Sequence, residues 1–128
     1  MDLKQVIVVR KDLKMRRGKE IAQSSHGTAA WLLVLTKRLL KGEKFDLSPE
    51  QQEWLFGECR HKKICVYVNS EQELQELHDK ALAADLTSHL IVDAGLTEFH
   101  GVPTKTCICI GPNFSEEIDK LTGELTLY

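Results

Sequence analysis

The sequence predicts an α/β fold, a small mixed sheet with helices on both faces, and three observations lead there. Apolar, β-branched runs such as Gln5–Val9 (QVIVV) alternate along the chain with segments of helical periodicity, the order of a layered α/β protein. The runs are nearly continuous, which marks strands covered on both faces. The connections around the third and fourth strands are too short for parallel crossovers, so the sheet is expected to be mixed. At 128 residues the chain is read as one domain, 1–128, long enough to enclose a core.

Gln5–Val9 is the first strand. From Gly18 to Leu40 no proline intervenes, and Ile21, Thr28, Leu32, Leu35 and Leu39 recur at helical spacing, so a long helix is expected to bury that stripe before Gly42 ends it. Ser48-Pro49-Glu50-Gln51 is a capping signal with proline at the first helical position, opening a short helix with Trp54, Leu55 and Phe56. Lys63–Asn69 (KICVYVN) forms the second strand. Ser70 to Glu73 reads as a capping box, and the helix behind it is expected to bury Leu74, Leu77, Ala81 and Leu82. His89–Gly95 (HLIVDAG) and Thr104–Pro112 (TKTCICIGP) are the third and fourth strands. Asn113 with Glu116 is expected to cap a last helix, closed by Gly123 and followed by an extended tail, ELTLY.

Composition narrows the function. A net charge of −2 argues against a general nucleic-acid coat, yet Arg10, Lys11, Lys14, Arg16, Arg17 and Lys19 crowd one strand-to-helix crossing, diluted only by Asp12. The N-terminal apolar run is too short for a signal peptide and no stretch approaches a membrane span, so a cytoplasmic, reduced protein is expected. Cys59, Cys65, Cys107 and Cys109 include no C-x-x-C pair. They are read as small thiols rather than metal ligands, with Cys107 and Cys109 expected on opposite strand faces. His61, His78, His89 and His100 lack ligand spacing. No G-x-S-x-G, Walker loop, H-E-x-x-H or dinucleotide fingerprint is present.

Sites in open α/β sheets form beyond the carboxyl ends of strands, which pairs the basic crossing with the loop after Asp93. Lys19, Gln23 and His26 share a helix stripe. A lysine in a first turn meets the positive end of the helix dipole, unfavourable without an anion nearby. Asp93 ends an apolar strand, where a carboxylate needs a partner. Each has a plainer reading: a solvated stripe, a boundary histidine, and a turn-forming aspartate bonded to the backbone of Ala94 and Gly95. Thr97 and Thr106 carry no signal alone, and no Ser–His or Cys–His pair is evident.

In order and spacing, QVIVVRKDLKM, GKEIAQSSHG, IVDAGLTE, TCICIGP and IDKLTGELTLY resemble the archaeal and eukaryotic-type (type II) peptidyl-tRNA hydrolases over nearly the whole chain. The resemblance implies a three-layer α/β/α sandwich around a mixed four-stranded sheet. It also implies a dimer without metal or organic cofactor, and hydrolysis of the ester joining a peptide to the terminal ribose of tRNA. It puts the active-site lysine on Lys19, the aspartate on Asp93 and two threonines on Thr97 and Thr106, with Gln23 and His26 facing the same cleft. Lys14, Arg16 and Arg17 would then meet tRNA phosphates. The expected chemistry is direct water attack, with Asp93 orienting or deprotonating the water and Lys19 neutralising developing charge, while Thr97 and Thr106 position water or carbonyl. Two departures stand out. The family's DAG-Lys/Arg-Thr-Gln is here Asp93-Ala94-Gly95-Leu96-Thr97-Glu98, and its MGKGK is Met15-Arg16-Arg17-Gly18-Lys19. Leu96 and Glu98 motivate the alternative of an RNA-binding module without hydrolysis. A protein-interaction face around Trp31 or Trp54 is a second alternative, opposed by ordinary core packing of those rings.

Overall fold

The computed structural model describes residues 1–128. In chain order it contains β1 (Leu3–Arg10), a 3-10 turn (Lys11–Leu13), α1 (Arg17–Leu40), α2 (Pro49–Phe56), β2 (Lys63–Val68), α3 (Glu71–Ala83), β3 (Ser88–Asp93), β4 (Thr104–Phe114) and α4 (Ser115–Thr122). One four-stranded sheet runs in the order β2-β1-β4-β3. β1 and β2 are parallel, whereas β4 is antiparallel to both of its neighbours, so the sheet is mixed.

The pleat divides the core in two. Val6, Val8, Ile108 and Ile110 point to the side covered by Leu74 and Ala81 of α3 and Ile118 of α4. Ile7, Val9, Cys107 and Cys109 point to the other side, beneath α1, with Met15 closing that cluster. Leu3 extends the second layer to Trp31 and Trp54, whose rings meet edge to face at 5.9 Å, so α2 docks on α1 through an aromatic pair. Full burial of a side chain such as Leu74 or Ile108 contributes roughly 1.5–3 kcal/mol. Both tryptophans are therefore core residues, and neither offers a docking ring.

Four local expectations need correction. The stripe of α1 that meets the sheet is Gln23, Gly27 and Trp31, while Ile21, Leu32 and Leu39 are exposed and Thr28 and Leu35 half-buried. The helix lies close to β4, where a Cβ on Gly27 would sit 3.3 Å from Cys109 Cβ. A glycine and an amide thus take the innermost places, and apolar periodicity points to the wrong face. Cys107 and Cys109 share one face, as residues two apart on a pleated strand must. Asn113 does not cap α4. It pairs with Lys4 within β4, and its Oδ1 accepts from the Thr87 amide at 3.0 Å, tying the α3–β3 connection to the sheet. The helix instead starts after Phe114 with no side-chain cap. Finally, Ser70 accepts from the Glu73 amide, but Glu73 reaches Asn69 rather than the Ser70 amide, so the box is half formed; Leu82 lies exposed. The box at Ser48 and Gln51 is complete.

Candidate active site

Backbone geometry builds the site from both sides of β4. β1 ends at Arg10, whose guanidinium bonds Asp12 through two nitrogens and donates to the Lys105 carbonyl at 3.0 Å. Lys14 then takes a left-handed conformation, φ 51°, which turns the chain into α1. Opposite, β3 ends at Asp93, whose Oδ2 accepts from the Gly95 amide at 2.8 Å. Gly95 has φ +81°, and a Cβ there would fall 2.3 Å from the Val102 carbonyl oxygen, so this loop requires glycine.

Lys19 Nζ donates to Asp93 Oδ1 at 2.8 Å and to Thr97 Oγ1 at 3.0 Å. Gln23 Nε2, one turn on, donates to the same Oδ1 at 3.2 Å. Thr106 Oγ1 donates to Gln23 Oε1 at 2.7 Å, which fixes the amide: its oxygen faces the hydroxyl and its nitrogen the carboxylate. The lysine and aspartate side chains are only 16% and 13% exposed, so water screens the pair weakly. The Lys19 hydrogen bond, helped by the Gly95 amide and Gln23 and opposed by burial, holds the Asp93 carboxyl below the usual carboxylate range. Asp93 is therefore ionised at neutral pH.

Two valences remain unspent. An ammonium has three donors, and Lys19 uses two on the cluster. A carboxylate has about four acceptor positions, and Asp93 fills three. One donor on Lys19 and one acceptor position on Asp93 Oδ2 thus remain in the cluster, able to polarise a carbonyl and hold a water. The same aspartate also forms its turn, so the plain and the chemical readings of Asp93 coexist.

The sequence-derived residues do not all share that cluster. Lys19, Gln23, Asp93, Thr97 and Thr106 do. Thr106 is wholly buried beneath Gln23 and reaches the cleft only through it. His26 is exposed on α1, outside the cluster's hydrogen bonds. Lys14, Arg16 and Arg17 are exposed and enter none of the six ion pairs; Glu98, half-buried, enters none either.

Two features had no counterpart in the sequence reading. Between Ile91 and Val92 the β3–β4 register skips one residue of β4, and the extra residue is Thr106. A bulge re-aims a side chain, and this one puts the Thr106 hydroxyl under Gln23. The second is a Ser–His pair: His78 Nδ1 lies 2.7 Å from Ser88 Oγ, joining α3 to β3. It lies on the α3 face of the sheet, away from Lys19 and Asp93. No group of three or more His, Cys, Asp or Glu side chains is arranged to hold a metal, all four cysteines are free, and no helix is long and apolar enough to cross a membrane.

Comparison with known proteins agrees with the resemblance. The family model described as peptidyl-tRNA hydrolase PTH2 matches residues 3–128. A protein named peptidyl-tRNA hydrolase from Methanopyrus kandleri is 41% identical, with 97% of each chain covered. One of the same name from Thermococcus onnurineus is 40% identical over 97% of this chain and 96% of its own. A bovine protein named peptidyl-tRNA hydrolase 2, mitochondrial, is 37% identical over 99% of this chain and 65% of its own length.

Proposed function

The chain belongs to the peptidyl-tRNA hydrolase PTH2 family and is an enzyme; we propose that it opens the ester between peptide and tRNA by direct attack of a water held at Asp93. The observation that carries this reading is the Lys19–Asp93 pair with one donor and one acceptor unspent. The water donates to the free position of Asp93, and the remaining Lys19 N–H faces the ester carbonyl oxygen. Attack forms the new carbon–oxygen bond and moves the carbonyl π pair onto oxygen, where Lys19 stabilises the oxyanion. Collapse breaks the bond to the ribose oxygen, which takes the proton that Asp93 received from water. The products are a free peptide carboxyl and a tRNA ribose hydroxyl.

The depressed acidity of Asp93 shapes its role. A low carboxyl pKa weakens it as a proton acceptor in the ground state and strengthens it as a fixed orienting charge. Its basicity rises as the developing oxyanion shares the Lys19 charge, with the ammonium left in place. Thr97 steadies the ammonium, and Thr106 steadies Gln23 and through it the carboxylate. The Ser88–His78 pair offers no competing acyl-enzyme route beside this ester, because it lies across the sheet from Lys19. We place the enzyme in the cytoplasm and read it as a homodimer; exposed apolar residues of α1 and α2, including Val34, Leu40 and Phe56, support a covered surface there. Incubating the protein with a crude peptidyl-tRNA pool tests the reaction: saturable binding without release of tRNA would favour the binding-only alternative. Sedimentation tests the dimer.

A further inference from the structure

On the flank of α1 opposite Lys19 and Gln23 lies an open groove of about 730 Å³. Ile7, Val9 and Cys65 form its apolar floor, and Ile21, Ser24 and Thr28 form the α1 wall. Arg17, Lys63, Glu20 and Tyr128 stand at its rim. The groove therefore shares the first turns of α1 with the catalytic cluster but covers β1 and β2 instead of β3.

Its aromatic edge is built by the tail. Thr126 accepts from the Tyr67 amide at 3.3 Å, the Tyr128 amide donates to the Cys65 carbonyl at 3.1 Å, and Leu127 bridges Val66. These bonds set the Tyr128 ring 5.3 Å from that of Tyr67, and Lys11 Nζ lies 4.5 Å from the Tyr67 centroid. Tyrosine faces, an apolar floor and cations are the parts from which sites for unpaired nucleotides are made. Charge separates this occupant from the other arm of the substrate. Lys11, Arg17 and Lys63 lie on the groove side, next to the unpaired Lys14 and Arg16, whereas the loop on the cluster side carries Asp93 and Glu98. Glu20 is the one acidic side chain of the rim. As an acceptor-only group it suits a base amino group or a ribose hydroxyl, and as the neighbouring acceptor for the Tyr128 phenol it pushes that group's pKa up to about 12.

We propose that this groove holds the unpaired 3′-terminal nucleotides of the tRNA, with a base against Tyr128 and phosphates met by Arg17; the Lys63 ammonium is held by the His61 carbonyl at 3.1 Å and the Trp54 ring. The proposal rests on the hydrolase reading above and adds where the RNA end lies: it crosses the N-terminal turns of α1, nucleotides on one flank and ester on the other.

The test is a titration with a labelled RNA tetranucleotide carrying the 3′-terminal tRNA sequence and no peptide, followed by fluorescence anisotropy. Wild type is expected to bind it saturably. Tyr128→Ala removes the ring and Ser24→Trp fills the groove from the helix without touching the tail; each should weaken binding about tenfold. Tyr128→Phe retains the face and should retain most of the affinity. No saturable binding by wild type, or wild-type affinity in either disruptive variant, overturns the proposal. So does selective weakening of an N-acetylated peptide, which would assign the groove to the peptide arm. Because the probe has no ester, its result is independent of turnover: loss of binding in both variants, beside a wild type that fails to cleave peptidyl-tRNA, would reject the hydrolase reading and leave the groove standing.

Discussion

Lys19 and the Arg16–Arg17 pair lie within four residues of one another and are held in opposite ways. Lys19 is largely buried and bonded to a carboxylate and a hydroxyl, whereas Arg16 and Arg17 are exposed with no anionic partner. Five of the six cations at one crossing sort into three kinds, while the sixth, Lys11, lies over the Tyr67 ring. Arg10 is structural, fixed by Asp12 and the Lys105 carbonyl. Lys19 is preorganised, its geometry set before substrate arrives. Lys14, Arg16 and Arg17 are left for an anion from outside. Preorganisation acts on a rate, because it stabilises charge that appears only in the transition state; unpaired surface cations act on affinity and its salt dependence.

Breaking the preorganised half should have the largest effect. Lys19→Ala and Asp93→Ala should each lower kcat by about 10²–10³-fold, the usual cost of removing a fixed charge at a reacting centre. KM should change little, and the fold should survive because the pair lies at the rim of the core. Near wild-type kcat in both variants, with unchanged melting, would reject the mechanism. The pH dependence has a definite sign. The folded-state pKa of Asp93 is lowered, so its contribution to stability is present above the ordinary carboxylate value near 3.8 and is lost as pH falls through the lower folded value. Asp93→Asn should therefore lower stability at neutral pH and flatten the further loss on acidification, adding no pH dependence near neutrality.

Thr106→Val probes the same half indirectly and should act more mildly. It leaves Gln23 Oε1 without its buried donor, at a cost of about 1–3 kcal/mol in stability. It also frees the amide to rotate away from Asp93. A kcat reduced about tenfold with KM unchanged fits a positioning residue, and Thr106→Ser should restore most of it because the hydroxyl returns. Equal rates for Val and Ser would mean that the buried hydroxyl serves packing alone.

Most of this architecture was legible in local pattern. The β-branched runs gave the strands, Ser48 and Pro49 placed α2, and the four-residue step from Lys19 to Gln23 put both on one side of a helix. Asp93 stood out because a carboxylate is costly at the end of an apolar strand. The shared face of Cys107 and Cys109 followed from strand period alone, whereas three other missed features depend on partners distant in sequence. Gly27 faces the sheet where β4 comes so close that a Cβ would sit 3.3 Å from Cys109 Cβ, a fact about Cys109 and not about the helix period. The Thr106 bulge exists only in the pairing of β3 with β4, and the Ser88–His78 pair only in the packing of α3 on the sheet.

The docking half predicts a different signature. Replacing Arg16 and Arg17 together with alanine should raise KM severalfold across tRNAs while kcat holds. The salt slope of binding should fall by roughly one unit per lost phosphate contact. An unchanged slope would make the two arginines a solvated turn, and the contrast with Lys19 would then be one of burial only.

Glu98 sharpens the comparison most finely, since it places a carboxylate where the family usually carries glutamine. An arginine partner across the cleft would have neutralised it, but Glu98 forms no ion pair, and neither does Arg16 or Arg17. Its charge is therefore uncompensated near the path of a polyanion. Glu98→Gln should lower KM by about twofold at low salt, the scale of one unit charge acting several ångströms away through largely aqueous surroundings. The gain should fade toward 0.1 M salt, where the screening length is about 10 Å. The kcat should stay put, because Asp93 is already held ionised by Lys19 and gains little from losing a distant like charge. A KM that is unchanged or higher at low salt would mean that Glu98 gives the substrate a hydrogen bond worth more than its repulsion. The carboxylate would then belong with Lys19 among the groups placed for the reaction, and no longer among those that only shape the approach.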